Sequence, residues 1–385
     1  MAEPSPLLEI AGPPHSRGLM YGQQAAAPIR LGIAHYREQL EGKRFRQKDL
    51  NLAVKKYLPK IDEFDSEHVQ EMRGIAKGAG VDFADIVLLN ARTEVLQIAE
   101  RQMKPKGKFV DESPDGCTGV IVLQEASKGN KLIHAQNWDW KAQCANTTVV
   151  LKIRRENGPD ILTFTEAGAL ARSGMNSAGI SITANYLECE RDYIELGVPL
   201  ALIRRKALEQ EYLALAVREI YCSKKSGSNN MMLAHEGGIG VSLECAPNET
   251  FVVHPENGMI VHANHWQSNV ALAKLTDTGI LSTPDSLYRD TRVRNLLSKN
   301  PGSITSKQVK EALFDKYQEP WSVCRPERPG FTGNLSATVA MVVMQPELGI
   351  MEVAMLPAQD RRFVRYTLDR TVNRKGGSKS RRGNE

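Results

Sequence analysis

Cys117 has the sequence setting of a side-chain nucleophile. It lies between Gly116 and Thr118, where a charged loop rich in proline and glycine meets the first predicted strand of a sheet. The glycine leaves the carbonyl before the cysteine uncrowded, and the threonine places a hydroxyl beside it. These features suit attack of the thiol on its own preceding peptide bond. A strand-start cysteine without a chemical role is the competing interpretation of the same segment.

Three other segments place polar side chains at turns or at the end of a predicted strand. Residues 134–140 run through two amides and a carboxylate that are interleaved with tryptophans, and residues 166–179 contain two glycine turns. In residues 261–266, an apolar strand is followed by an asparagine that lies between two histidines. The first segment predicts a polar site with aromatic walls, and a polar loop anchored by two tryptophans is the alternative. No carboxylate or cysteine lies at ligand spacing from the two histidines, so a zinc site is not predicted.

Helical periodicity covers most of residues 23–100, and a two-residue alternation replaces it further along the chain. Apolar side chains recur at three- and four-residue spacing in 61–78 and 84–99, and Gly78, Gly80 and Asp82 mark the junction of the two stretches. Residues 101–116 have the composition of a linker or loop. Short β-rich runs predict strands at 119–123, 131–135, 147–153, 161–165, 179–183, 251–254, 259–262, 337–344 and 350–355, with helices at 199–219 and 286–297. Because the helices come first and many antiparallel strands follow, the order of elements predicts an α+β fold in which helices cover one or two large sheets.

The composition is that of an ordinary globular protein. The 385 residues contain 41% hydrophobic side chains, no apolar run of the about 20 residues that span a membrane, and no secretory signal at the start. Six widely separated cysteines without a C-x-x-C pair predict free thiols and a cytoplasmic protein. The net charge of +5 arises in residues 370–385, which carry six basic and one acidic side chain. We interpret them as a solvated tail, and a polyanion-binding arm is the alternative.

An ordered set of motifs runs along the chain between residues 10 and 368. Its members are Asp115-Gly116-Cys117-Thr118, Gln136-Asn137-Trp138-Asp139, Asn176-Ser177-Ala178-Gly179 and His262-Ala263-Asn264-His265, with 73–81 and 89–94 upstream. Any one motif is weak, but their order is specific. Together they resemble the acyl-coenzyme A:isopenicillin N (6-aminopenicillanic acid) acyltransferase family of cysteine enzymes in the N-terminal nucleophile (Ntn) hydrolase superfamily. Relatives of that family include the insect β-alanyl-dopamine hydrolase.

The resemblance implies an α+β fold with four layers, an αββα sandwich of the Ntn-hydrolase type, made as an inactive precursor. Self-cleavage between Gly116 and Cys117 would separate a helical chain, residues 1–116, from a chain that begins at the nucleophile. Residues 117–369 would then be the catalytic chain, followed by the basic tail, 370–385. Cys117 would carry both a thiol and an α-amine, whose ordinary pKa of about 7.7 to 8.0 suits a general base at neutral pH. No catalytic histidine is then required.

The same resemblance implies roles for further residues. Asp139 is similar to the family's carboxylate that holds the α-amine, and Asn264 is similar to its oxyanion donor. A strand-end cap is the plainer interpretation of Asn264. Thr118 would position the scissile bond. Gly119 departs from the pattern, because the penicillin enzyme has a hydroxyl residue at that position. The expected substrate-binding residues are Trp138, Asn137, Asn185 and Ser336.

Two aspects of the site stay open in the sequence. The arginine that the resemblance implies near the C-terminal strands has no counterpart directly before Ser336, which leaves Arg325 and Arg328 as candidates. The aromatic side chains either line a substrate pocket or only pack the strand ends. They are Trp138, Trp140, Tyr186 and Trp266.

The leading hypothesis is an autoprocessed cysteine acyltransferase or amidohydrolase. A small N-acyl amine or an acyl thioester would acylate Cys117, and an amine or water would accept the acyl group. No cofactor and no metal are expected, and acyl-coenzyme A is a candidate co-substrate. The expected partners are the small molecule and the two chains of one precursor, with no membrane and no specific nucleic acid, and the oligomeric state is open. The alternatives are a hydrolase of β-alanyl or aminoacyl amines and a catalytically silent binding protein of the same fold.

Overall fold

A computed structural model describes residues 2–103, 116–329 and 335–369. The helices of these ranges are α1 (Pro14–Gln24), α2 (Ala26–Gly42), α3 (Gln47–Phe64), α4 (Ser66–Ala79), α5 (Phe83–Asn90), α6 (Arg92–Met103), α7 (Leu200–Leu208), α8 (Leu213–Cys222), α9 (Asn269–Lys274), α10 (Ser286–Leu297) and α11 (Ser306–Leu313). The strands are β1 (Leu7–Ala11), β2 (Gly116–Val122), β3 (Ile133–Lys141), β4 (Thr148–Arg154), β5 (Ile161–Glu166), β6 (Ser173–Asn176), β7 (Ile180–Tyr186), β8 (Asn229–His235), β9 (Ile239–Cys245), β10 (Thr250–Val253), β11 (Met259–His262), β12 (Arg328–Pro329), β13 (Leu335–Gln345), β14 (Ile350–Met355) and β15 (Val364–Thr367). The predicted tail and most of the predicted linker lie outside the described residues.

The described strands form two sheets. The first has the order β1-β4-β5-β6-β7-β8-β9-β10, and only its β1 and β4 run parallel. The second has the order β11-β2-β3-β13-β14-β15, is antiparallel throughout, and has the short β12 paired to β13. The strand that carries Cys117, β2, therefore lies inside the second sheet with a partner on each edge.

The two sheets pack face to face between two helical layers. Helices α7 and α8 contact β6 to β9 of the first sheet, and α10 and α11 contact β11, β3 and β13 of the second. Strands β2 and β3 contact β7 and β8 across the middle of the molecule. The main apolar core fills this space, where Trp138 and Phe164 meet edge to face with ring centroids 6.0 Å apart. The α+β fold with four αββα layers is thus confirmed.

The helical segments are divided more finely than their periodicity predicts. The stretch 61–78 is interrupted at Asp65, whose carboxylate accepts two backbone N–H groups of the following turn and so begins α4. The stretch 84–99 is α5 and α6, and 199–219 is α7 and α8. The prediction of one continuous helix in each stretch was wrong, because a cap or a turn can restart a helix while the apolar spacing continues. Within the described ranges, no helix is long and apolar enough to cross a membrane.

Some predicted elements coincide with the observed ones, and others were missed. The bounds of β11, α10 and β14 coincide with the predicted 259–262, 286–297 and 350–355. Strands β1, β6, β8, β9, β12 and β15 were not predicted. Most residues of β8 and β9 are buried, because the first sheet is covered on both faces there. A strand of this kind loses the alternation of apolar and polar side chains that identifies it in a sequence.

Candidate active site

Cys117 lies near the start of β2, on the face of the second sheet that is turned towards the first. It pairs across β2 and β3 with Trp138, and cross-strand partners share a face of a sheet. The Trp138 ring meets Phe164 of the first sheet, so this face is the one between the sheets. The residues on either side of the pair point to the opposite face. Cys117 is fully buried in this layer.

The Cys117 thiol contacts the guanidinium of Arg172. Arg172 Nη2 lies 3.6 Å from Sγ, and the guanidinium stacks over the Trp138 ring at 4.1 Å from its centroid. Arg172 is only 4% exposed and directly precedes β6, in the turn that leaves β5. A buried positive charge beside sulfur favours the thiolate, which is the nucleophilic form of cysteine. The fold thus supplies the electropositive setting that a reactive cysteine requires.

The backbone of Cys117 is held at both of its polar groups. Its N–H donates to Asn264 Oδ1 at 2.8 Å, and its carbonyl accepts from Arg289 Nη1 at 2.6 Å. Arg289 Nη2 also donates to Asn264 Oδ1, at 2.7 Å, while Asn264 Nδ2 donates to the Tyr186 carbonyl at 2.9 Å. Asn264 follows β11, which pairs with β2. The side-chain oxygen of Asn264, and not its amide N–H, therefore faces the Cys117 nitrogen.

Asp139 of β3 is directed at the junction between Gly116 and Cys117. Its Oδ1 accepts from Thr338 Oγ1 at 2.6 Å, while its Oδ2 lies 3.2 Å from Arg325 Nε and has no hydrogen-bond partner. A Cβ on Gly116 would come within 2.9 Å of Oδ2, so the position accepts only glycine without rearrangement. Burial raises the pKa of Asp139, although Arg325 acts to lower it. A buried carboxylate oxygen without a hydrogen bond thus lies beside the residue that precedes the nucleophile.

Arg325 and Arg289 share one counter-ion, Asp285. Asp285 Oδ2 accepts from Arg289 Nε at 2.6 Å and also contacts Arg325 Nη2. Burial acts to raise the pKa of Asp285, but the two guanidinium groups outweigh it and lower that pKa. Burial likewise opposes the charge of Arg325, yet Asp139 and Asp285 raise its pKa. These four side chains form a continuous buried chain of charges that ends at the Cys117 carbonyl.

The structure gathers the predicted catalytic and cleavage residues. They are Cys117, Asp139 and Asn264, with Gly116 and Thr118 beside them. Thr118 Oγ1 accepts from Arg289 Nη1 at 2.8 Å. Of the two candidate arginines, Arg325 lies at Asp139, whereas Arg328 stacks over a tryptophan at 3.7 Å from its centroid, and burial lowers its pKa to about 10. Ser336 belongs to a segment, 333–338, that is described from residue 335 onward.

The predicted substrate-binding residues are not gathered in one place. Trp138 and Asn185 face the layer that contains the thiol, and both amide atoms of Asn185 are hydrogen-bonded to neighbouring strands. Asn137 points to the outer helical layer, where its Nδ2 donates to two backbone carbonyls at 2.7 and 2.9 Å. Ser336 lies at the start of β13, opposite Lys141. Asn137 is therefore on the opposite face of the sheet from the thiol.

Four residues that contact the site were missed in the sequence. They are Arg172, Asp285, Arg289 and Thr338. The four-residue spacing of Asp285 and Arg289 on one helix was the only available signal, and it is common on ordinary helix surfaces. The other contacts join positions far apart in the chain, and no local pattern marks such contacts.

A polar cavity adjoins Arg172. Helices α5, α6 and α7 and strands β5, β7 and β8 contribute to its walls. Its charged lining residues are Arg92, Glu94, Glu166, Arg172 and Arg204. Arg92 Nε pairs with Glu166 at 2.5 Å. Of the aromatic residues predicted as pocket walls, Tyr186 lines this cavity, whereas Trp266 packs in a separate apolar cluster.

One group of side chains in the described ranges has ligand atoms close enough together for a metal ion. It consists of Asp65, His68 and Glu209. Lys206 Nζ lies 2.6 Å from Asp65, and Arg205 Nε lies 2.9 Å from Glu209. These cations already neutralise the two carboxylates, so the group fits an ion-pair network better than a metal site. The histidines at 262 and 265 do not belong to such a group.

Known proteins that this chain resembles include a curated relative and two solved structures. It is 27% identical over 321 residues to the acyl-coenzyme A:6-aminopenicillanic-acid-acyltransferase 40 kDa form of Emericella nidulans, which covers 83% of this chain and 84% of that protein. A mutant of conjugated bile acid hydrolase from Clostridium perfringens matches with a TM-score of 0.48 and 12% identity over 66% of this chain and 92% of its own. Penicillin V acylase from Agrobacterium tumefaciens matches with a TM-score of 0.46 and 14% identity over 66% of this chain and 86% of its own.

A family model also matches the chain. It is described as acyl-coenzyme A:6-aminopenicillanic acid acyl-transferase and matches residues 126–354, more than half of the chain. The matched segment contains Asp139 and Asn264 and begins after Cys117. The chain therefore belongs to the acyl-coenzyme A:6-aminopenicillanic acid acyl-transferase family of enzymes.

Proposed function

We propose that this chain is an autoprocessed cysteine acyltransferase or amidohydrolase with Cys117 as its nucleophile. The observation that carries the proposal is the setting of the Cys117 nitrogen, which Asn264 Oδ1 holds while Asp139 Oδ2 lies beside Gly116. An amino terminus formed at this nitrogen would have an amide oxygen and a carboxylate oxygen as acceptors. The guanidinium of Arg172 beside Sγ supports a reactive thiolate.

Self-cleavage would break the bond between Gly116 and Cys117. The thiol loses its proton, and sulfur attacks the Gly116 carbonyl carbon. The C–N bond then breaks, the nitrogen takes a proton, and Gly116 is held as a thioester. Water hydrolyses the thioester and leaves a carboxylate on Gly116 and a free thiol and amine on Cys117. The tight space at Gly116 and the hydrogen bond from Arg289 to the Cys117 carbonyl support this step, because they hold the residues on both sides of the bond that is cut.

In the mature enzyme, the α-amine of Cys117 would act as the general base. It accepts the thiol proton while sulfur attacks the acyl carbon of a small N-acyl amine or acyl thioester. The leaving amine or thiol takes that proton, and the acyl group stays on sulfur. An amine or water then attacks the thioester and restores the thiol. Asp139 would accept an N–H of the ammonium form and so orient and stabilise it.

Asn264 has two proposed roles in this cycle. The observed hydrogen bond from the Cys117 nitrogen to Oδ1 supports a role in holding the α-amine. The oxyanion role that the resemblance implies stays a prediction, since Nδ2 donates to the Tyr186 carbonyl. A donor to the oxyanion contributes about 2.7 to 4 kcal/mol to lowering the barrier.

We further propose acyl-coenzyme A as an acyl donor and a small amine as its acceptor. The similarity to the Emericella nidulans acyltransferase supports this choice. Hydrolysis of a β-alanyl or aminoacyl amine would use the same acyl-enzyme and differ only in the acceptor. Assays of N-acyl amines with and without an acyl thioester distinguish transfer from hydrolysis, because only transfer yields a new amide.

Intact-mass measurement on a denatured sample tests the cleavage. We expect the wild type to give two chains and Cys117→Ala to stay at 42.7 kDa. Cys245→Ala, which alters another buried cysteine, is the control and is expected to be cut. A wild type that stays intact excludes cleavage at this bond.

Labelling with an acyl-transferring thiol probe tests the nucleophile. The experiment uses a Cys222→Ala background, because Cys222 is the exposed cysteine. We expect one acyl group on Cys117 and none in the Cys117→Ala variant. Equal labelling of the two proteins would favour a catalytically silent binding protein.

A further inference from the structure

Arg289 of α10 is bonded to three groups around the nucleophile. Its Nη1 donates to the Cys117 carbonyl at 2.6 Å and to Thr118 Oγ1 at 2.8 Å, and its Nη2 donates to Asn264 Oδ1 at 2.7 Å. The side chain is fully buried, and its Nε donates to Asp285 at 2.6 Å. Asn264 Oδ1 also accepts the Cys117 N–H at 2.8 Å. One oxygen atom therefore joins the guanidinium to the nitrogen that self-cleavage would free.

Charged side chains from several elements face this nitrogen or its neighbours. They are Asp139 on β3, Arg172 before β6, Asp285 and Arg289 at α10, Arg325 before β12 and, behind Arg325, Arg328. Cations outnumber carboxylates in this set. Arg289 is the cation linked to the Cys117 nitrogen through one shared acceptor. A proton added to that nitrogen would be repelled most directly by this guanidinium.

We propose that Arg289 is a positioning residue that lowers the proton affinity of the Cys117 α-amine, and that Asp285 limits this effect. The inference rests on the proposed function, because the α-amine exists only after cleavage. A protonated amine cannot accept the thiol proton, so a lower proton affinity keeps the base active at lower pH. Asp285 neutralises part of the guanidinium charge. Removing Asp285 therefore strengthens the effect of Arg289, and removing Arg289 abolishes it.

The pH dependence of kcat/KM of the mature enzyme tests this proposal, because its acid limb reports the base of the free enzyme. Arg289→Gln is expected to move the acid limb to higher pH by about one unit, and Asp285→Asn is expected to move it to lower pH. Arg289→Lys keeps the charge, so we expect an acid limb near that of the wild type with a lower kcat/KM. Arg292→Gln on the same helix is the control, because Arg292 pairs with Asp315 at 2.7 Å and is expected to leave the profile unchanged.

Shifts of opposite sign in Arg289→Gln and Asp285→Asn would support the proposal. A lower kcat/KM with an unchanged acid limb in both variants would overturn it, because a structural role has that result. If Arg289→Gln is not cut, its pH profile cannot be measured, and the test then rests on Asp285→Asn. An unchanged acid limb in Asp285→Asn overturns the proposal. A wild type that is neither cut nor acylated at Cys117 contradicts the proposed function instead, so the two failures are distinguishable.

Discussion

Two of the buried clusters of charged side chains in the described ranges differ in how completely their carboxylates are paired. The nucleophile cluster consists of Asp139, Asp285, Arg289 and Arg325. The helix cluster consists of Arg17, Asp65, His68, Glu71, Arg205, Lys206 and Glu209. In the helix cluster, Glu71 contacts Arg17 at 2.6 Å and Arg205 at 2.9 Å. In the nucleophile cluster, Asp139 keeps one oxygen without a hydrogen bond.

The pKa values of the two carboxylates shift in opposite directions. Burial acts to raise the pKa of Glu71, but Arg205 and Arg17 outweigh it and the pKa is lowered. Burial prevails at Asp139, whose pKa is raised despite the contact with Arg325. A carboxylate whose pKa is lowered in the folded state stabilises that state at neutral pH, whereas a poorly paired one remains available to another donor. The comparison separates a cluster that supports the fold from one that is suited to chemistry.

The clusters also differ in which parts of the chain they join. The helix cluster links Glu71, before Gly116, with Arg205, after it. It would therefore hold the two chains together after the proposed cleavage. The nucleophile cluster lies entirely after Gly116 and surrounds the terminus that cleavage would create.

The largest expected effect is that of Asp139→Asn on catalysis. We expect kcat/KM to fall by roughly 10³- to 10⁴-fold, because a neutral amide cannot stabilise the ammonium form of the base. The free energy of unfolding should change little, since a carboxylate with a raised folded pKa adds no stability at neutral pH. Steady-state kinetics and urea unfolding measure the two quantities. Asp315→Asn is the control. A large loss of stability in Asp139→Asn would mean that Asp139 stabilises the fold and is not specialised for catalysis.

Glu71→Gln is expected to have the converse result. We expect the free energy of unfolding to fall by about 3 to 5 kcal/mol, because Arg17 and Arg205 lose a buried counter-ion. The kcat/KM of the folded protein should stay near that of the wild type. Urea unfolding is compared with that of Glu67→Gln, an exposed position on the same helix. Equal stability of the two variants would contradict the structural role of the helix cluster.

The stability difference between the wild type and Glu71→Gln should depend on pH. A carboxylate with a lowered folded pKa adds its full stability above its unfolded pKa of about 4.3 and loses it as the pH falls through the folded value. We therefore expect the full difference at pH 7 and a narrowing difference below about pH 4. Urea unfolding of both proteins across this range provides the measurement. A difference that does not change on acidification would mean that the charge of Glu71 is not what stabilises the cluster.

The smallest expected effect is that of Gly18→Ala, which alters the helix cluster through packing. A Cβ at Gly18 of α1 would lie 2.0 Å from the Glu71 carbonyl oxygen of α4, so the helices must move apart. We expect a loss of about 1 to 3 kcal/mol in thermal or urea unfolding. Gly42→Ala is the control, because a Cβ there meets nothing within 4 Å, and a slight gain in stability is expected.

Much of the candidate site could be predicted from the sequence, because its residues lie at the ends of strands. Cys117 and Asp139 belong to adjacent strands, and Asn264 follows the strand on the other side, so sheet pairing alone brings them together. The motif order therefore selected residues that the fold brings together, and their catalytic roles stay predictions. The direction of a side chain was not predictable in the same way. Asn137 is next to Trp138 in the sequence, yet successive residues of a strand point to opposite faces.

The charges around the nucleophile could not be predicted. Arg289 lies on a helix that carries several arginines, and nothing in its local sequence distinguishes it from Arg292, which pairs with Asp315. Arg172 is placed by a turn between two strands of the other sheet. Buried long side chains depend on distant partners, and a local pattern contains no information about those partners.

The sequence by itself determined the fold class, the family resemblance and the position of Cys117 at the start of a strand. These properties depend on apolar periodicity, turn residues and the order of short motifs, all of which are local along the chain. Only the tertiary structure decided that Arg325 and not Arg328 lies at Asp139, that Asn264 turns its oxygen to the Cys117 nitrogen, and that Arg289 shares that oxygen. The physical reason is that hydrogen bonds and ion pairs act over a few ångströms, and packing of the two sheets and their helices sets which distant groups come that close.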